Sequence, residues 1–501
     1  MSDQSSLERS SPGPAPLDQS RAPYFEALCQ YAAVPRAAFH TPGHIQGRGA
    51  HPALRAVVGD AMLSLDISPG LGDLDGVPGS ALDQAQALAA GAYGADRSWF
   101  LANGSTLGNQ IMVTAVCHPG DVILTSRNTH RSIISALMIA GVRPLYIPAE
   151  LDPESHIAHG VTPAQVEAAL AGHPEVRAVM IVSPTYYGVC SDTAGIAEAS
   201  HRHGVPLLVD EAWGPHFPFH PDLPGHALSL GADMVVTGAH KLLSAFLQAS
   251  MLHVRGDLVD QDRVEVVNRM LQSTSPSCLL RMSLDVARMQ MATEGEALLT
   301  TAMALASDAR ARIEEHPLLS CLDKRLVGSH GVVAFDPTRL SVNVISTGYT
   351  GYDVEKMLFN DHAVTVEMAD YANVLCNVTM GHSQADLDQL VDALHAIASS
   401  PSEHGLDSQG FVERALYEVP EQVMSPGEAF HARQQRVPLE EAVGRISAEM
   451  AATYPPGIPV VVPGERLTPA LVAHLQAQVA AGGRIVGPQD PRLDRIQVVC
   501  E

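Results

Sequence analysis

The sequence predicts an α/β protein, a large domain on a mainly parallel sheet followed by a smaller α+β domain. Three observations carry this expectation. Short β-branched runs alternate with helical segments through the central block. Those runs are apolar throughout, the mark of strands buried on both faces. Beyond about residue 320 the order changes, with strands and helices no longer alternating regularly.

Residues 1–20 are rich in Ser, Pro and Asp and read as a disordered tail, with a first boundary at 22. A helical pattern covers 24–39, followed by HTPGHIQGRG, too rich in glycine for regular structure. The large domain, with this N-terminal segment, takes 23–320. Its strands are DVILTS (121–126), RPLYIP (143–148), AVMIVSP (178–184), VPLLVDEA (205–212) and DMVVTG (233–238). Helices are expected at STLGNQIMVTAVC, HRSIISALMIAG, PAQVEAALAG and TAGIAEASHRHG. The small domain, 321–400, has strands at RLSVNVIST, AVTVEMAD and NVLCNVTMG and helices at YDVEKMLFND and SQADLDQLVDALHAIA. A Pro/Gly/Ser-rich stretch near 400–427 leads into a C-terminal region, 401–501, in which helices flank YPPGIPVVVPGE.

Composition narrows the function. A formal charge of −24 argues against a nucleic-acid surface, which needs clustered Lys and Arg, and suits a cationic ligand. The 7 cysteines are scattered and form no CxxC pair, so neither a disulfide framework nor a zinc site is expected. The N-terminus has no apolar h-region and no segment is long enough to span a bilayer, which points to a cytoplasmic protein.

In parallel sheets ligands bind beyond the carboxyl ends of the strands. There the sequence delivers His130 after the first run, Asp210 and Trp213 at the end of the fourth, and His240 and Lys241 after the fifth. Gly104, Ser105 and Thr106 open a helix, where free N–H groups and the helix dipole favour a phosphate. A lysine amine, a carboxylate for a ring nitrogen, an aromatic to stack and a phosphate cradle are what pyridoxal phosphate (PLP) requires. Singly, each part has an ordinary explanation: a solvated lysine, a helix cap, a turn. Their occurrence together, in this order, carries the argument.

With these residues in place, the chain resembles the fold-type-I, PLP-dependent ornithine/lysine/arginine decarboxylases of bacteria in their short form, from about Pro23 to the end. The resemblance rests on ordered motifs that include FHTPGHIQGRG, DLDGVPGSALDQAQALAAGAYGAD, FLANGSTLGNQ, SRNTHRSI, SPTYYGVCSD, VDEAWGPHFPFH, AHKLLSAFLQAS, STSPSCLLRMSLDVAR, VEMADYANVL and YPPGIPVVVPGE. It implies that Lys241 forms the imine, Asp210 pairs with the pyridine nitrogen, and His130 stacks on the ring. It places Ala212 and Trp213 beside the cofactor, Ser105 and Thr106 at its phosphate, and His240 next to the lysine. Ser273 and Thr274, in STSPS, would reach the phosphate of a neighbouring subunit, making a homodimer with shared sites. Glu367, in VEMAD, would receive the distal cation of arginine, lysine or ornithine. The implied reaction is decarboxylation to the corresponding amine, feeding polyamine metabolism, with His240 or Tyr187 as proton donor. No metal is implied.

Three positions depart from the family pattern. Gly238-Ala239 stands where Ser-Thr is usual, removing two hydroxyls unless Thr237 or a water substitutes. Ile45 replaces a lysine in the first motif. Arg281 occupies an expected apolar position. A second reading is an aminotransferase, whose small-domain arginine would hold the α-carboxylate; residues 340–400 contain no Arg, which favours decarboxylation. A third is a non-catalytic regulator, which predicts loss of the lysine or the carboxylate, and both are present.

Overall fold

Seven strands form the central sheet of the computed structural model, which describes residues 17–152, 155, 157–402, 419–454, 457–480 and 482–500. They are β1 (Arg97–Leu101), β2 (Val122–Ser126), β3 (Arg143–Ile147), β4 (Val176–Val182), β5 (Leu207–Glu211), β6 (Met234–Thr237) and β7 (Ser250–Val254). Their order is β1-β7-β6-β5-β4-β2-β3. The neighbours from β3 to β6 pair in parallel, and β7 runs antiparallel to both β6 and β1. The five expected strands are thus present, shifted by a residue or two. β1 and β7 were not expected, and a polar pair inside them explains why. Ser98 and His253 interrupt both apolar runs, yet face each other across the two strands with Oγ 2.8 Å from Nδ1.

Alternate residues of each parallel strand go to opposite faces, and both faces are covered. Met180 and Leu208 join one core with α2 (Gly104–Val116) and α3 (Arg131–Ala140), after α1 (Pro23–Ala33) at the N-terminus. Val179, Ile181 and Val209 join the other with α4 (Pro163–Gly172) and α5 (Thr193–Arg202). Each such side chain contributes about 1.5–3 kcal/mol by leaving water. Helix α2 lies so close to β6 that a Cβ on Gly108 would sit 2.3 Å from Val236 Cγ2.

α1 stops at Ala33, short of the expected 39, because Val34 precedes a proline and is extended. The last residues of the expected tail are packed on the large domain. Residues 1–16 lie outside the described residues, whereas the fully buried Arg288 donates to Gln19 O at 2.7 Å and holds Arg21 O. Arg288 belongs to a 36-residue helix, α6 (Cys278–Ile313), that leads from the large domain into the small one. Arg281 on the same helix pairs with Asp75 at 2.6 Å, so the unexpected arginine is buried but neutralised.

The small domain is a four-stranded antiparallel sheet, β8 (Ser320–Cys321), β9 (Arg339–Asn343), β10 (Met368–Ala369) and β11 (Asn373–Asn377), ordered β8-β9-β11-β10. α7 (Gly351–His362) and α8 (Gln384–Ala398) pack on it. The AVTVEMAD strand shrinks to two residues after a left-handed turn at Ala363, φ 53°. In the C-terminal region the residues leading into YPPGIPVVVPGE form a strand, Ala451–Tyr454, and not a helix; residues 455 and 456 lie outside the described residues, and a helix, Pro469–Ala480, does follow. No helix among the described residues is long and apolar enough to cross a membrane.

Candidate active site

The carboxyl ends of β2, β5 and β6 open onto a cavity of about 550 Å³. β5 supplies Asp210, almost fully buried, whose Oδ2 accepts from Asn109 Nδ2 at 2.7 Å and whose Oδ1 accepts from Ala212 N at 3.1 Å. The chain leaving β6 turns sharply at Gly238 before the one-turn helix Ala239–Leu242 that carries Lys241. Gly238 N donates to Ala212 O at 3.2 Å, and a Cβ there would lie 2.7 Å from the same oxygen. Ala239 is fully buried in the core. This geometry has no space for a side chain at 238, which accounts for one missing hydroxyl.

Lys241 Nζ rests 3.9 Å from the centre of the Trp213 ring. His130 caps α3 with its own ring. Asn109 Nδ2 also donates to Ser132 Oγ at 2.8 Å, and Ser132 offers both its N–H and its hydroxyl to His130 Nδ1, 3.3 and 2.7 Å away. Asp210 and His130 are therefore joined by a buried polar chain, and the acceptor role of Nδ1 leaves the imidazole proton on Nε2. Gly104, with φ 68°, and Ser105 and Thr106 form the rim at the start of α2, whose first turn has no side-chain cap. His240 lines the same cavity and holds Ala249 O through Nδ1 at 2.9 Å. Glu367, Ala212 and Trp213 complete the set.

Four expected residues stand elsewhere. Thr237 is turned to the opposite face of the sheet, 3.1 Å from His253 Nε2, and cannot replace the missing hydroxyls. Tyr187 donates to Asp370 at 2.5 Å; its neighbour Tyr186 is the tyrosine that lines the cavity. Ser273 and Thr274 line a separate concavity beside Arg281. The sequence also missed Asn109, Gln248, Tyr454 and Arg339. Tyr454 enters the cavity wall from the C-terminal region. Arg339, one residue before the arginine-free stretch, is a buried small-domain arginine with its guanidinium 4.2 Å from the Trp213 ring centre. The inference from an absent small-domain arginine therefore fails. Its two Nη atoms nonetheless bond Asn377 Oδ1 and Tyr186 O, which directs them into the wall.

Burial dominates the electrostatics. It lowers Lys241 to about 8, against the partial opposition of Asp210. It lowers His130 to about 3, so this ring is neutral at any working pH. Burial raises Asp210 and Glu367; Lys241 and Asn109 pull Asp210 back, and Arg339 and Lys241 pull Glu367 back. The Tyr186 hydroxyl is driven far upward by burial and keeps its proton.

The profile of the Orn/Lys/Arg decarboxylase major domain matches residues 22–386, and that of the family's C-terminal domain matches 409–487. The chain belongs to the Orn/Lys/Arg decarboxylase family. As a member it is a PLP-dependent carboxy-lyase of basic amino acids. It is 41 % identical to an arginine decarboxylase of Bacillus subtilis (strain 168), over 97 % of this chain and 99 % of that protein. Identity to an arginine decarboxylase of Halalkalibacterium halodurans is 39 %, over 96 % and 98 %. Lysine decarboxylase LdcA of Pseudomonas aeruginosa is 26 % identical over 89 % of this chain and 74 % of its own length. Among solved structures, the Francisella novicida lysine decarboxylase LdcF superposes with a TM-score of 0.82 at 22 % identity, covering 96 % of this chain and 81 % of that one. That likeness concerns the fold.

The cavity fits the cofactor that the family implies. The uncapped start of α2 offers unpaired N–H groups to a phosphate. The Trp213 indole N–H lines the wall, buried and without a partner among the described residues, as a donor awaiting an acceptor. Asp210 supplies a buried carboxylate and Lys241 a half-buried amine against Trp213.

Proposed function

We propose that this enzyme decarboxylates arginine to agmatine and carbon dioxide, with PLP held through Lys241. The observation that carries the reading is the convergence of Lys241, Asp210 and His130 on one cavity whose far wall holds Glu367. Arginine is favoured over lysine by identities near 40 % to proteins named arginine decarboxylases along the full chain, against 25–26 % to those named lysine decarboxylases.

When bound, PLP supplies the electron sink for the pair left on Cα as carbon dioxide departs. The chain supplies the rest. Lys241, lowered to about 8, carries a larger share of free amine near neutral pH than an ordinary lysine does, and is mainly free amine above 8. The Asp210 carboxylate holds the positive charge on the pyridine nitrogen, and Asn109 fixes that carboxylate. His130, neutral and clamped by Ser132, gives the ring a flat face to stack on. Ser105, Thr106 and the N–H groups of α2 take the phosphate. Glu367 receives the distal guanidinium, which positions the substrate along the cavity. His240 faces the cavity where Tyr187 does not; with its Nδ1–H spent on Ala249 O, its Nε2 takes a proton from solvent and passes it to Cα.

The active unit is a homodimer. Ser273 and Thr274 lie in a concavity of about 910 Å³ away from Lys241, where a segment serving the partner's phosphate would lie. The test is a screen of arginine, lysine and ornithine, reading carbon dioxide and the amine. Agmatine formed from arginine in equal amount to carbon dioxide, without a keto acid, supports the reading. A keto-acid requirement would establish the aminotransferase alternative.

A further inference from the structure

Glu367 is not the end of its own hydrogen-bond chain. Its Oε2 accepts from Asn377 Nδ2 at 2.9 Å, and Asn377 Oδ1 in turn accepts from Arg339 Nη1. A guanidinium only donates and a carboxylate only accepts, so the amide between them has one workable orientation. Arg339 is itself fixed on several sides. Its Nη2 donates to Tyr186 O, its guanidinium lies against Trp213, and its backbone N–H holds Asp336 O at 3.2 Å. Gly188, at φ 84°, leaves the space its stem needs, since a Cβ there would lie 2.6 Å from Arg339 Cγ. No direct Arg339–Glu367 ion pair occurs among the described residues. A bidentate pair would engage both carboxylate oxygens. The inserted amide uses Oε2 and leaves Oε1 for an incoming cation.

We infer that Arg339 and Asn377 are positioning residues for substrate specificity, a donor–acceptor relay that sets the orientation of Glu367 towards the distal cation of the substrate. The inference rests on the reading of Glu367 given above. The relay lies in a partition. Glu367 lines both the Lys241 cavity and a second one of about 380 Å³, and Asn377 lines the second. Rotation about the Glu367 side chain would swing its carboxylate between the two cavities, and the hydrogen bond from Asn377 Nδ2 restrains that rotation. The same arginine touches the wall of the reacting end through Trp213 and Tyr186, so one buried group ties the distal contact to the imine end of the cavity.

The experiment is a double-mutant cycle on the holoenzyme with Asn377→Leu, Asn377→Asp and Glu367→Gln. The readouts are KM and kcat for arginine and the calorimetric Kd of agmatine, which carries the distal guanidinium but no α-carboxylate. Asn377→Asp keeps the side-chain volume and the Arg339 bond, so it tests the relay even where the leucine variant fails to fold. In the Glu367 background, both substitutions at 377 should raise KM and Kd about tenfold and leave kcat within a few-fold. In the Glu367→Gln background the Asn377→Leu effect should disappear. Asn377→Asp should also move the acid limb of the KM profile to higher pH, because a second carboxylate beside Glu367 favours its protonated form. Equal, additive losses in both backgrounds, or unchanged KM and Kd at 377, would overturn the relay while the reading of Glu367 stands. An unchanged KM in Glu367→Gln alone overturns that reading, and the relay with it.

Discussion

The Lys241 amine lies against a tryptophan, and desolvation lowers it to about 8 from the ordinary lysine value of 10.5. Below about 8 the group is an ammonium and cannot attack an aldehyde; above it the free amine is present. The rate at which apoenzyme takes up PLP should therefore rise with pH through a limb near 8 and level off above it. A limb near 10 would contradict the burial argument, and stopped-flow absorbance at the imine band measures it. Lys241, Asp210 and His130 were legible in the sequence because each directly follows or ends an apolar strand, and parallel strands deliver their ends to one edge. Tyr186 and Tyr187 were not separable, since adjacent residues differ only in which side of the loop they face. Asn109, Arg339 and Tyr454 come from three distant parts of the chain, and only tertiary contact brings them to the site.

At the scale of elements, the contact of α2 with β6 depends on Gly108. A Cβ at 2.3 Å from Val236 Cγ2 cannot be accommodated without moving the helix. Gly108→Ala should destabilise the protein by about 1–3 kcal/mol and lower its Tm, and it should weaken PLP retention because α2 carries the phosphate cradle. Gly238→Ser restores the hydroxyl that the family pattern contains, yet it should loosen the cofactor, because its Cβ would press on Ala212 O. Tighter PLP binding by this variant, measured by release into excess semicarbazide, would show that the turn yields. The five parallel strands were legible from their unbroken apolar runs. β1 and β7 were hidden by Ser98 and His253, whose polarity makes sense only across the strand pair.

At the scale of the molecule, the C-terminal region is wired to the large domain at the base of the site. Buried Arg127, three residues before His130, bonds both oxygens of Glu465 at 3.1 Å and the carbonyls of Pro459 and Val460 at 2.6 and 2.9 Å. Tyr454, which lines the cavity, ends the strand that pairs with Ile458–Val461, the strand so held. Arg127→Met alone should cost about 3–5 kcal/mol by leaving Glu465 charged and buried, and the double variant with Glu465→Met should recover much of it. Denaturant titration of the four proteins measures this, and a single variant no less stable than the double would contradict it. The small-domain strands and helices were legible from their apolar patterns. The dependence of the site on residues beyond them was not, because a buried ion pair 338 residues apart in sequence leaves no local pattern.

The decisive measurement is incubation of the holoenzyme with labelled arginine, beside the Lys241→Ala protein. Carbon dioxide and agmatine should form in equal amounts with no keto acid added, and both product and imine absorbance should be lost in Lys241→Ala. Carbon dioxide released at the normal rate by the Lys241→Ala protein, or none released from arginine by the intact enzyme, would overturn the proposed reaction.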